Sequence, residues 1–76
     1  MPHVIVKLFA GRSEQQKNRI AEEVTKAIMA TTDNGADAVS VSIEDVQPSD
    51  WTEAVYRPDI LEKPDTLYKK PGYEPR

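Results

Sequence analysis

The sequence predicts an α/β fold of the α+β kind: a β-α-β unit with parallel strands, a sheet completed by a second subunit, and short C-terminal helices. Three observations carry this expectation. Two short segments alternate apolar and polar residues, as half-buried strands do. One segment of helical period lies between them. The chain has only 76 residues and no cysteine, so a lone copy lacks the usual staples of a small fold.

The first strand is expected over residues 3–9, HVIVKLF. Val4, Val6 and Leu8 fall on one face, and His3, Ile5 and Lys7 on the other. Ala10, Gly11 and Arg12 form a turn. Ser13 then offers an N-cap with Gln16 three residues on, a capping-box pattern. Ile20, Val24, Ala27, Ile28 and Thr31 recur at helical spacing, which predicts a helix over 14–31. Glu22 and Lys26 lie four apart on its exposed side. Asp33, Asn34 and Gly35 end it, with Asn34 or Gly35 suited to positive φ.

The second strand is expected over 39–46, with Val39, Val41 and Ile43 on its apolar face. The helix spans roughly 27 Å, against roughly 23 Å for a seven-residue strand. One helix therefore carries the chain back along the first strand, and the two strands run parallel. Beyond them, Pro48 opens a short turn or helix carrying Trp51, Ala54 and Val55. Pro58 is suited to start another helix, and Pro64 a final turn containing Leu67 and Tyr68. Lys69 and Lys70 suit a helix C-terminus, and Pro71-Gly72 stops it.

Such a unit reads as one domain over residues 1–76. A domain of this size buries only about 60% of its unfolded surface. One helix covers one face of a two-stranded sheet, leaving the other face and the edges open. At least a dimer is the expected remedy.

Composition excludes several functions. The net charge of −3 disfavours nucleic acid, whose binding needs clustered Lys and Arg. No apolar run is long enough to span a membrane. The N-terminal segment does not read as a secretory leader, so a cytoplasmic location is expected. With His3 as the single histidine, no histidine- or thiolate-built metal site is expected. Zincin, P-loop and dinucleotide motifs are missing, and no serine sits in a nucleophile elbow. Glu44 and Asp45 are adjacent and point to opposite faces of a strand, which suits solvated strand-end charges better than an acid–base pair. Glu22 and Glu23 read as a solvated helix face.

Pro2 is the one residue with distinctive chemistry. Initiator methionine is generally removed before a small residue such as proline. Removal would leave a secondary amine at the head of the first strand, held in orientation by its ring. A free α-amine has a pKa of about 7.7–8.0. Apolar surroundings and a cation such as Arg12 disfavour its charged form and move it toward the range where a general base works. Taken alone, Pro2 is better read as a good start for an edge strand.

Pro2, the alternating strand and the run Gly11-Arg12-Ser13-Glu14-Gln15-Gln16-Lys17 together resemble the 4-oxalocrotonate tautomerase family over residues 2 to about 51. The ending Lys69-Lys70-Pro71-Gly72-Tyr73 resembles the longer, dimeric bacterial branch of that family. The resemblance implies a tautomerase/MIF-like fold and a cofactor-independent isomerase. It implies that Pro2 is the catalytic base, that Arg12 binds the substrate carboxylate, and that Trp51 is an aromatic wall of the site. Where hexameric members carry a second arginine that polarises the 2-oxo group, this chain has Ser40, which offers one hydrogen bond and no charge. The implied substrate is therefore a monocarboxylate enol, such as an arylpyruvate enol, and the implied assembly a homodimer rather than a hexamer. Two other readings stay open. One is dehalogenation or decarboxylation of small unsaturated acids, with Glu44 or Asp45 activating water. The other is a non-catalytic dimeric binding protein whose tail, with Tyr68 and Tyr73, meets a partner.

Overall fold

The computed structural model describes residues 1–75; the last residue of the expected 1–76 domain lies outside it. Strand β1 runs His3–Phe9 and strand β2 Ser40–Val46. They pair in parallel without a slip, from His3 opposite Ser40 to Phe9 opposite Val46. Helix α1, Glu14–Thr32, makes the crossover. The expected β-α-β unit is thus present, with β2 starting one residue later than expected and α1 ending one residue later.

The start of α1 follows from its capping box. The Gln16 N–H donates to Ser13 Oγ at 3.1 Å, and the Ser13 N–H donates to Gln16 Oε1 at 3.1 Å. Glu14 in the first turn suits the positive end of the helix dipole. The C-terminus differs from expectation. The left-handed residue is Asp33, with φ of 60°, whereas Gly35 is extended. A short polar side chain tolerates this conformation, and Asn34 Nδ2 instead donates to Thr32 Oγ1 at 2.8 Å.

The buried stripe of α1 is also rotated from the expected one. Lys17, Ile20, Ala21, Val24, Thr25, Ile28 and Met29 are half-buried, whereas Ala27 and Thr31 are exposed. Thr25 joins the stripe at little cost because its hydroxyl donates to the Ala21 carbonyl at 2.7 Å. Lys26 pairs with Glu23 at 3.6 Å rather than with Glu22. Lys17 ties α1 to the sheet through Asp45 of β2 at 2.6 Å and also meets Glu14 at 3.2 Å. The Leu8/Asp45 face of the sheet is therefore the face under α1.

The second face is half covered. After a 3₁₀ turn at Pro48–Asp50, a wide π-type helix, α2, runs Thr52–Leu61. Pro58 lies inside α2 rather than starting a new helix. A proline ring crowds the carbonyl four residues before it. The wider winding opens that turn, and the helix ends with the Glu62 N–H donating to the Arg57 carbonyl at 3.0 Å. Lys7 reaches Asp59 of α2 at 2.6 Å, so α2 lies over the C-terminal half of this face. Pro64 opens a last turn, Pro64–Thr66, which closes before Leu67 and Tyr68 and leaves Lys69 and Lys70 outside any helix.

Among the described residues Val55 of α2 is the one buried hydrophobic side chain, while Ile5 and Phe9 on the second sheet face are 53% and 51% exposed. A chain with so little core needs further burial to fold, and a two-stranded sheet leaves both outer edges unpaired. The sheet is completed by a partner subunit. Stability should accordingly depend on concentration. We expect the Tm, followed by circular dichroism, to fall on the order of 4 °C per tenfold dilution. A Tm unchanged across two decades of concentration would contradict assembly-linked folding.

Candidate active site

The strand register divides the candidate residues into two groups. At the N-terminal end of the sheet stand Pro2, His3 and Ser40. Pro2 is half-buried just ahead of β1, and its carbonyl accepts the Ser40 N–H at 3.1 Å. Ser40 opens β2 directly opposite His3, and Ser40 Oγ lies 2.6 Å from His3 Nδ1. Both side chains are exposed, on the half of the face that α2 leaves open.

At the C-terminal end stand Arg12 and Trp51. The Ala10 N–H donates to the Val46 carbonyl at 2.9 Å, continuing the ladder into the turn. Gly11 then takes a φ of 123°, which side chains rarely adopt. This reversal presents Arg12, exposed, immediately before the N-cap of α1. Arg12 also heads an open groove of about 400 Å³ along α1, with Gln16, Arg19, Ile20, Glu23 and Val24. Trp51 is half-buried, with its ring 4.9 Å from that of Phe9 at 82°, an edge-to-face contact.

A seven-residue strand spans about 20 Å from first to last Cα. The structure therefore brings Pro2 and Ser40 together and sets Arg12 and Trp51 at the opposite end of the same strand. Within one protomer the four expected residues do not meet.

Several charged groups near the C-terminal end are committed to ion pairs. Lys7 has its pKa raised, first by the hydrogen bond to Asp59 and further by the nearby Asp59 and Glu44 charges. Lys17 is raised by its hydrogen bonds to Asp45 and then Glu14. On α2, the bond from Arg57 lowers the Glu53 carboxyl and raises Arg57 in turn. Asp45 is thus held by Lys17, and Glu44 lies in register with Lys7. Among the described residues no group of three or more His, Asp, Glu or Cys side chains is placed to hold a metal ion, and no helix is long and apolar enough to cross a membrane.

Sequence reasoning overlooked two residues here. His3 bonds the side chain of Ser40, and Phe9 supports Trp51. Neither followed from the expected strand bounds, 3–9 and 39–46, which would set His3 opposite Val39 rather than Ser40.

The "Tautomerase enzyme" family model matches residues 2–57, and the chain belongs to this family. A probable tautomerase of Xylella fastidiosa is 42% identical over 73 residues, covering 96% of this chain and 89% of its own. Tautomerase PptA of Cronobacter sakazakii is 39% identical over 75 residues, covering 97% and 99%. Among solved structures, a 4-oxalocrotonate tautomerase isozyme of Methylibium petroleiphilum superposes with a TM-score of 0.64 at 36% identity, over 66% of this chain and 81% of that one. The fold is that of the 4-oxalocrotonate tautomerases, and the protein is an isomerase of the tautomerase type. Residues beyond 57 lie outside the family model, although both curated relatives align with nearly the whole chain.

Trp51 is the single tryptophan and so reports on its contact with Phe9. Phe9→Ala should move its emission to longer wavelength and cost about 1 kcal/mol or more in urea denaturation. Unchanged emission would mean that the edge contact does not shape the environment of the indole.

Proposed function

We propose that the protein is a cytoplasmic, cofactor-independent homodimer that interconverts enol and keto forms of a small 2-oxo monocarboxylate, such as an arylpyruvate. Its base is the nitrogen of Pro2 after loss of Met1. The observation that carries this reading is the position of Pro2 at the head of β1, bonded to Ser40 of the neighbouring strand, in a chain of the tautomerase family. With Met1 attached, the Pro2 nitrogen is an amide without a basic lone pair; once freed, it is a secondary amine of fixed direction.

The separation of the two groups of residues along β1 supports a site shared between subunits. When two copies meet about a two-fold axis with their β1 strands antiparallel, the head of one lies at the foot of the other. The contact is isologous, so it creates two equal sites. Each then takes Pro2 and Ser40 from one subunit and Arg12, Trp51 and Phe9 from its partner. Arg12 fixes the carboxylate through a charge-assisted, potentially bidentate pair. Trp51 and Phe9 supply an apolar wall that disfavours a charged Pro2 amine.

The reaction needs one proton moved twice. Neutral Pro2 accepts the enol O–H proton, and negative charge develops on that oxygen, where Ser40 Oγ–H donates a hydrogen bond. The C=C electrons then take a proton from the protonated Pro2 at carbon, leaving the keto acid and the neutral base. Dehalogenation would need a carboxylate free to activate water. Asp45 is engaged by Lys17 at 2.6 Å; Lys7, the register partner of Glu44, is paired with Asp59 instead. Tautomerisation is therefore favoured over dehalogenation by the engagement of Asp45 and by membership of the tautomerase family.

Ketonisation of phenylenolpyruvate, followed by absorbance on protein shown by intact mass to lack Met1, tests the reading. Pro2→Ala should lower kcat/KM by about 10²-fold or more, the usual contribution of a positioned base. A form retaining Met1 should be inactive. Equal rates in wild type and Pro2→Ala, near the buffer background, would overturn the Pro2 assignment. Arg12→Ala should raise KM about tenfold or more, as loss of a charge-assisted contact does, with a smaller change in kcat. Because the base works unprotonated, kcat/KM should rise with pH to a plateau.

A further inference from the structure

Resting on the Pro2 reading, we infer that His3 is a positioning residue that holds the Ser40 hydroxyl as the hydrogen-bond donor to the substrate's 2-oxo oxygen. His3 and Ser40 are cross-strand partners on the first rung of the sheet, with Nδ1 and Oγ 2.6 Å apart. On the same rung the Ser40 N–H is bonded to the Pro2 carbonyl at 3.1 Å. Ser40 is therefore tied through its backbone to the residue that carries the base, with its hydroxyl on the half of the sheet face that α2 leaves uncovered.

A serine hydroxyl has one proton and two acceptor positions, and it rotates freely unless something fixes it. If Ser40 gave its proton to Nδ1, none would remain for a substrate. With the proton on Nδ1, His3 donates to Oγ, and the Ser40 O–H is free to point away from the ring. The same bond polarises the hydroxyl and strengthens it as a donor. It also restricts rotation before substrate arrives, so less entropy is lost when the hydroxyl engages an oxygen. The demand arises at one step. When Pro2 removes the enol proton, charge develops on the 2-oxo oxygen, and an aimed donor there lowers the barrier more than it tightens ground-state binding. His3 touches neither substrate nor base in this scheme and acts only through Ser40.

The test is a double-mutant cycle on phenylenolpyruvate ketonisation with wild type, His3→Ala, Ser40→Ala and the double variant. Pro2→Ala runs beside them, and mass and Tm of every variant are checked. Native mass and Tm then separate a loss of assembly from a loss of catalysis in each variant. Ser40→Ala should lower kcat about 10²-fold with KM little altered, as loss of a donor to a developing oxyanion does. His3→Ala should lower kcat about tenfold, the worth of one hydrogen bond. The double variant should be no slower than Ser40→Ala, because His3 has nothing to hold once the hydroxyl is gone. His3→Asn, whose amide can donate to Oγ, should recover part of the loss. Losses that multiply in the double variant, or a His3→Ala enzyme as fast as wild type, would overturn the inference while leaving Pro2 in place. Pro2→Ala activity equal to wild type would remove the Pro2 reading and this inference with it.

Discussion

The in-register parallel pairing of His3–Phe9 with Ser40–Val46 is the constraint on which the rest of the molecule depends. Parallel strands must be joined by a crossover, and one capped helix of 19 residues supplies it. The pairing leaves the two ends of β1 chemically distinct. One end gathers a proline, a histidine and a serine; the other gathers an arginine, a tryptophan and a phenylalanine. Neither set is an active site by itself. The first lacks a cation to hold a carboxylate, and the second lacks a base.

Assembly answers a structural need and a chemical one together. A protomer with Val55 as its one buried hydrophobic among the described residues gains its core only by adding surface from a partner. The same join, in the two-fold dimer we propose, sets unlike ends against each other. The ion pairs of the structure serve this arrangement by fixing its edges: Lys17 pins α1 to β2, and Lys7 pins β1 to α2. These pairs remain partly exposed, so they act as positional ties more than as sources of stability.

Much of this was legible in the residues. The alternation of Val4, Val6 and Leu8, the Ser13/Gln16 box and the strand after the helix all act locally, and local signals survive into the fold. The errors lie where tertiary context decides. Ala27 and Thr31 fit the helical period as well as Ala21 and Thr25 do, because small neutral residues discriminate poorly between faces. Pro58 signals a helix start, yet the wide winding of α2 absorbs it. Asp33 takes the left-handed position although a glycine lies two residues on, and the half-covering of the second sheet face depends on a contact between Lys7 and Asp59, 52 residues apart. Of the site, Pro2, Arg12, Ser40 and Trp51 were picked out by residue type and resemblance. Their division between two ends of one strand, and the bond of His3 to Ser40, required the register.

The central claim is that one site draws its base and its carboxylate-binding arginine from different subunits. Subunit exchange between Pro2→Ala and Arg12→Ala proteins, each nearly inactive alone at low substrate, tests it directly. Random mixing makes half the dimers mixed, and each mixed dimer regains one intact site of two. About a quarter of wild-type activity should therefore return. A mixture no more active than its two parents, with mixed dimers confirmed by native mass, would place Pro2 and Arg12 in separate functions and contradict the shared site.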